Sequence, residues 1–86
     1  MKYRSRSDIV TMMLESARAG ATKTKIMYTA YLSYSQLLEY LKYLEQNDLL
    51  TYEQGSQLYR PTEKGLKFLN LSSELNEMAL VAKSKS

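Results

Sequence analysis

Apolar residues recur at helical spacing in the middle of the chain. Leu37, Leu41 and Leu44 are separated by four and three residues, so they share one face of a helix. Mostly polar residues fall on the opposite side, which makes the segment amphipathic. The pattern predicts a helix over 34–46 with one face in a core and the other in solvent.

Capping signals mark both ends of this predicted helix. Ser33 can accept a hydrogen bond from an amide of the first turn, and the side chain of Gln36 can reach back to the Ser33 amide, which together make a capping box. At the other end Asn47-Asp48 closes the helix, because Asn tolerates the left-handed conformation in which helices often end. The helix is therefore expected to begin at Tyr34 and to end at Gln46.

The hydrophobic period changes after this helix. The runs 49–53 and 57–60 are rich in strand-forming residues, and a Gly-containing turn at 54–56 separates them, which predicts a β-hairpin. Thr62 is then a favourable N-cap, and Glu63 suits the positive end of a helix dipole. A further helix is expected to begin at 63.

The N-terminal quarter of the chain predicts another helix. Ile9 and Met13 are four residues apart and lie on one apolar face. Ser7-Asp8 favours a start at that point, with Ser5 as an alternative cap. Gly20 is expected to end this helix.

A shorter helix follows, from Thr22 or Thr24 to about Ala30, and 31–33 form a turn. A short helix, a tight turn and a capped longer helix make a helix-turn-helix, which presents the longer helix to the major groove of DNA. The sequence thus predicts a mainly α fold with a small β-hairpin (α+β): a winged helix-turn-helix over 7–65.

The segment 63–82 differs from the helices before it. It carries apolar residues at alternating spacings of three and four, as in a coiled-coil seam: Phe68, Leu71, Leu75, Met78 and Ala82. A helix of about 20 residues spans roughly 30 Å, which is too long to pack fully on so small a domain. Its distal half is therefore expected to pair with the same helix of a second chain. The alternative is a helix folded back on its own domain. Leu66 and Leu69 are expected to pack on the core, and 83–86 to fray.

Composition narrows the classes of function. The 86 residues are enough for one domain, and the chain contains neither Cys nor His. Disulfides, thiolate or imidazole metal sites and the common Cys-His or Ser-His catalytic pairs are therefore excluded. No two acids are obviously paired for carboxylate catalysis, so we expect no enzyme, no metal and no cofactor. Without a signal peptide or a membrane-length apolar run, the protein is expected to be soluble and cytoplasmic.

The net charge of +3 is distributed unevenly. Residues 1–25 carry +4 and residues 26–59 carry −3, so contacts with DNA phosphates are expected mainly from the first third of the chain. The candidates are Lys2, Arg4, Arg6, Lys23, Lys25 and Arg60. The first three belong to a basic N-terminal arm over 1–6, which could instead be a solvated tail. Arg60 could instead form a cross-strand or helix-cap ion pair.

The outward side of 34–46 offers candidate groups for reading DNA bases: Ser35, Gln36, Glu39, Lys42, Tyr43 and Gln46. Gln matches adenine, Lys matches guanine, and a carboxylate can accept from cytosine. The alternative is a solvated helix surface on which Gln36 is occupied by capping. This helix is net acidic, which argues against strong non-specific coating of DNA.

Three stretches of the sequence resemble one protein family. They are KYRSRSDIV, GATKTKIMYTAYLSYSQLLEYL from Gly20 to Leu41, and YRPTEKGLKFL from Tyr59 to Leu69. They look like the archaeal winged-helix DNA-binding family typified by ten-kilodalton chromatin-associated proteins and related short predicted transcriptional regulators. The resemblance extends over 1–78.

This resemblance implies sequence-general or regulatory binding of double-stranded DNA, in a nucleoid-associated protein, by a homodimer joined through an antiparallel coiled coil of the C-terminal helices. It makes 34–46 the recognition helix and the hairpin around Gly55 the wing. The wing tip at 53–57 carries no positive charge, and this departure from the family argues against a role in packing chromatin.

Two functions therefore remain open from the sequence. The first is a dimeric DNA-binding protein that acts as a transcriptional regulator. The second is a protein-interaction module in which the acidic helix and a tyrosine-rich face dock another protein. The eight tyrosines fit the rim of a core, and they also permit stacking on bases.

Overall fold

A computed structural model describes the backbone of residues 4–85 and the side chains of residues 4–78. Three helices precede a two-stranded hairpin and a long final helix. The elements are α1 (Arg6–Ser16), α2 (Lys23–Thr29), α3 (Tyr34–Gln46), β1 (Leu50–Glu53), β2 (Leu58–Pro61) and α4 (Glu63–Lys85). This is the predicted order of a winged helix-turn-helix, mainly helical with one small antiparallel hairpin.

Side-chain caps begin all four helices, and at α4 the predicted cap Thr62 accepts from the Gly65 amide at 3.0 Å. Ser33 and Gln36 form the predicted capping box at α3, with hydrogen bonds of 3.2 and 3.0 Å. Ser5 and Asp8 form a second capping box at α1, so the earlier of the two predicted starts is the one used. The Ser5 amide donates to the Asp8 carboxylate and lowers the pKa of that group. Thr22 caps α2, as one of the two predictions had it.

The C-terminal end of α3 has a Schellman motif. The Leu49 amide donates to the Leu44 carbonyl at 2.8 Å, and the Asp48 amide donates to the Glu45 carbonyl at 3.1 Å. Asp48 adopts the left-handed conformation with φ 59°, whereas Asn47 has φ −95°. The helix ends at the predicted residue, but the left-handed position lies one residue later than expected.

The hairpin pairs Tyr52 directly with Tyr59, and the centroids of the two rings are 4.9 Å apart. Ala21 adds a bridge on the other edge of β2, through hydrogen bonds of 3.0 and 2.8 Å with the Tyr59 backbone. This bridge ties the segment before α2 to the wing. The left-handed residue of the turn is Gln57, with φ 60°, and not Gly55, on which the turn prediction depended.

One core joins the apolar faces of the first three helices, the hairpin and the start of α4. Burying each large apolar side chain stabilises the fold by roughly 1.5–3 kcal/mol. The largest completely buried side chains are Met13, Leu14, Ile26, Leu37 and Leu44. The stripe that predicted α3 is therefore a core-facing stripe.

Gly65 allows α4 to start close against the junction of α3 and β1. A Cβ at this position would overlap the carbonyl oxygen of Leu49, so only glycine fits. One turn later Leu69 is 3% exposed, whereas Leu66 is 37% exposed. Of the two leucines expected to pack on the core, only Leu69 does, because it shares the core-facing side with Gly65. α4 runs to Lys85, beyond its predicted end.

Candidate nucleic-acid interface

α3 presents a polar outer stripe opposite its buried leucines. Ser35, Glu39, Lys42 and Gln46 are all exposed. Their spacings of four, three and four residues place them along one side of the helix. These four members of the predicted base-reading set thus form one continuous surface, which we call the outer stripe.

Gln36 and Tyr43 do not belong to the outer stripe. The side-chain oxygen of Gln36 accepts the Ser33 amide, as the capping alternative proposed. Tyr43 is half-buried and packs against the core. It lies beside the buried Leu44 and three residues after Tyr40, on the flank of α3 that the Arg6 side chain reaches. This predicted base-reading side chain therefore packs against the core of its own domain.

Arg6 lies in the first turn of α1, and its guanidinium covers that flank. Its Cζ is 4.9 Å from the centroid of the Tyr43 ring and 5.8 Å from that of Tyr40. Both distances fall within the range of cation–π attraction. Arg6 therefore joins α1 to α3 instead of extending as part of an arm.

Arg4 lies against the C-terminal end of α2. Its Nη1 donates to the Ala30 carbonyl, and its Nη2 donates to the Tyr31 carbonyl at 2.9 Å. Nη1 also lies 3.3 Å from the Met12 sulfur. The guanidinium of this predicted phosphate contact is thus engaged with protein backbone.

The other two arginines form ion pairs. The Nε of Arg60 lies 3.0 Å from a carboxylate oxygen of Glu53, which is the cross-strand alternative predicted from the sequence. This pair, together with a 2.9 Å hydrogen bond from Ser56, lowers the pKa of Glu53. Arg18 pairs with Glu15 at 2.9 Å. All four arginines of the chain therefore contact other parts of the protein.

The lysines of the helix-turn-helix have different surroundings. Lys23, Lys25 and Lys42 are exposed, and among residues 4–78 none of them forms an ion pair. Lys23 and Lys25 occupy the first turn of α2, which contains no acidic residue and where positive charge opposes the helix dipole. Their charge is therefore available to an anionic partner. Lys2, also predicted as a phosphate contact, lies outside the described residues.

A family model for the winged helix-turn-helix matches residues 3–80. The chain belongs to the winged helix-turn-helix family. A similar solved structure is that of Sso10a-2, a DNA-binding protein from Sulfolobus solfataricus, with a TM-score of 0.77 and 24% identity over 95% of this chain and 92% of that one. At this identity the likeness concerns the fold. A comparison with curated proteins finds no match.

Three tyrosines of this winged helix surround its helix-turn-helix turn. Tyr28 is 70% exposed, Tyr31 is 78% exposed and Tyr34 is 59% exposed. They were not among the predicted site residues, although the crowding of tyrosines in the middle of the sequence was the signal that could have found them. Exposed rings at this place add an uncharged surface beside the outer stripe.

α4 carries an apolar face that its own domain leaves uncovered. Leu71, Leu75 and Met78 are 59%, 64% and 66% exposed, and their spacing places them on one side of the helix. Phe68 is half-buried and packs against the core, so it lies at the margin of this face. The side chain of Ala82 lies outside the described residues.

The described residues contain few other chemical features. No group of three acidic side chains among them could hold a metal ion. Within the same part of the chain, no helix is long and apolar enough to cross a membrane. The described residues thus present four surfaces to a partner: the outer stripe, the lysines of α2, the exposed tyrosines and the uncovered face of α4.

Proposed function

We propose that this winged helix binds duplex DNA, with α3 in the major groove and with Lys23 and Lys25 on the phosphate backbone. The observation that carries the proposal is the outer stripe, which is polar and exposed while the opposite face of the same helix is buried. α3 directly follows the turn that presents a recognition helix in this motif. A protein of the same fold is described as DNA-binding.

The chemistry of the outer stripe suits selective reading of bases. Lys42 can donate to guanine, Gln46 can bond adenine in a bidentate manner, and Glu39 can accept from cytosine. α3 also carries Glu45, so its two acids exceed its one lysine and phosphate attraction by this helix is weak. The selectivity of binding should therefore depend on base contacts of α3, while Lys23 and Lys25 supply backbone affinity, which favours a transcriptional regulator over a protein that coats DNA.

We further propose that two copies associate through the uncovered face of α4. Leu71, Leu75 and Met78 expose large apolar side chains at coiled-coil spacing. Burying such side chains against a second copy is favourable by roughly 1.5–3 kcal/mol for each. A dimer would present two copies of α3 to two half-sites of one duplex.

Selection from random duplexes, followed by mobility-shift titration at low salt, tests the binding proposal. We expect an enriched sequence and a roughly tenfold loss of affinity in Lys42→Ala, because a good base contact contributes about 1–3 kcal/mol. Lys67→Ala makes the same charge change at an exposed position of α4 and serves as the control. If no duplex is retarded, the proposal fails and the protein-interaction alternative is favoured.

Light scattering tests the dimer. Leu75→Glu combined with Met78→Glu should give monomers, because charge in the apolar face opposes its burial. Asn70→Glu combined with Ser73→Glu adds the same charge at exposed positions off that face and should leave the dimer intact. A dimer that persists in the first double variant contradicts the assignment of this face.

A further inference from the structure

We propose that Arg4 is a positioning residue that caps the C-terminal end of α2 and thereby fixes the turn that presents α3. Its effect on DNA rests on the proposed function, whereas the cap itself does not. In the sequence Arg4 belongs to a basic stretch that predicts phosphate contacts. In the structure its guanidinium donates to backbone carbonyls of the helix-turn-helix.

The end of α2 requires support because of its backbone conformation. The Leu32 amide donates to the Met27 carbonyl at 3.0 Å, and the Tyr31 amide donates to the Tyr28 carbonyl at 3.3 Å, which is again a Schellman motif. Tyr31 has φ 55°, a left-handed conformation that is uncommon for a bulky side chain. This turn therefore carries strain that neighbouring contacts must offset.

Arg4 supplies such contacts. The carbonyls of Ala30 and Tyr31 are the next two along the chain, and the two Nη atoms of the guanidinium meet one each. α2 has no basic residue in its own last turn, so Arg4 provides the positive charge that the negative end of the helix dipole favours. The neighbouring Ser5 caps α1, which anchors the backbone that holds Arg4.

The position of this cap connects it to recognition. Tyr31 lies three residues before Tyr34, where α3 begins. The conformation of the turn therefore sets the direction in which α3 leaves α2. Arg4 joins the N-terminal segment to that turn. Its two Nη groups donate to backbone carbonyls instead of to a DNA phosphate.

Hydrogen exchange measured by NMR on the full chain tests the cap without DNA. In Arg4→Ala the Tyr31 and Leu32 amides should exchange roughly tenfold faster, since a hydrogen bond to a charged group is lost. Arg4→Lys should behave similarly, because an ammonium keeps the charge but lacks the planar fork. Arg18→Ala removes an arginine elsewhere and should leave both rates unchanged. Unchanged exchange in Arg4→Ala overturns the proposal.

The salt dependence of DNA binding tests the positioning role. For Arg4→Ala we expect weaker binding with an unchanged slope of log affinity against log salt. A phosphate contact would instead lower the slope by roughly 0.9 and would be restored in Arg4→Lys. Either that result or an unchanged affinity overturns the positioning role. If the unmodified protein binds no duplex, the proposed function fails, while the exchange rates still decide the cap.

Discussion

Arginine and lysine carry the same charge in this chain but occupy different surroundings. The arginines meet carbonyls, tyrosine rings or carboxylates of their own domain, whereas Lys23, Lys25 and Lys42 form no ion pair among residues 4–78. A guanidinium is planar and weakly hydrated and holds its donors in a fork, while an ammonium is a strongly hydrated point charge. Among residues 4–78 a count of formal charge therefore overstates the charge that is available to DNA, and the lysines of the helix-turn-helix belong to the available part.

Lys64 limits this contrast. Its Nζ donates to the Asn47 carbonyl at 3.0 Å, so a lysine closes the end of α3 much as Arg4 closes the end of α2. The neighbouring Asp48 carbonyl accepts from the Thr62 hydroxyl. Two residues thus do at α3 what one guanidinium does at α2. Position at a helix end, as well as residue type, decides which basic residues are structural.

Removing the exposed lysines of α2 should have the largest effect on DNA binding. In Lys23→Ala combined with Lys25→Ala, the loss of two phosphate contacts should lower affinity roughly 60-fold at about 0.1 M salt and the salt slope by roughly 1.8. The fold should stay as stable or become slightly more stable, since positive charge leaves the first turn of α2. Fluorescence anisotropy at several salt concentrations and thermal unfolding measure the two effects.

The matched control for that variant combines Arg18→Ala with Lys67→Ala. It removes the same formal charge from the end of α1 and from α4. Its salt slope should equal that of the unmodified protein. If instead the two double variants lose affinity equally, overall charge governs binding, and the contrast between arginines and lysines has no functional meaning.

Arg6 should show the opposite behaviour, with an effect on stability and none on the salt slope. Arg6→Ala removes its contacts with Tyr40 and Tyr43, which should destabilise the fold by about 1 kcal/mol and lower Tm by roughly 4–8 °C. Arg6→Met keeps an unbranched apolar stem without the charge, so it separates packing from cation–π attraction. An unchanged Tm with a lower salt slope would place Arg6 with the DNA-binding lysines.

The sequence predicts those features whose signals are close together in the chain. Ser33 and Gln36 are three residues apart, and the bounds of α3 follow from them and from the leucine spacing. Arg4 and Ala30 are 26 positions apart, and their contact depends on how α1 packs against α2. No local pattern contains that information, so the sequence places Arg4 on phosphate and the structure places it on a carbonyl.

The turns show the same limit on a smaller scale. Several residue types tolerate a left-handed backbone, so the sequence favours Asn47 at the end of α3, whereas the left-handed residue is Asp48. In the hairpin turn the left-handed residue is Gln57 and not the glycine that marked the turn in the sequence. Exposure of the outer stripe was predictable, because its members lie opposite buried leucines. Which of those side chains contact DNA stays a prediction, as does the dimer formed by α4.

The smallest effect is expected at the wing. Arg60 and Ser56 lower the pKa of Glu53, so the contribution of the ion pair is present above the unfolded pKa and is lost as the pH falls through the folded value. The Tm of the unmodified protein should therefore exceed that of Arg60→Gln by more at about pH 7 than at about pH 3. The side chains of Arg60 and Glu53 are 39% and 46% exposed, so the difference in Tm should be small and should fade in high salt. Asp8, whose pKa is also lowered, is common to both proteins and cancels. A larger difference in Tm at low pH would contradict the ion pair. A reduced salt slope for DNA binding in Arg60→Gln would instead show that Arg60 contacts phosphate, as the exposed lysines are proposed to do.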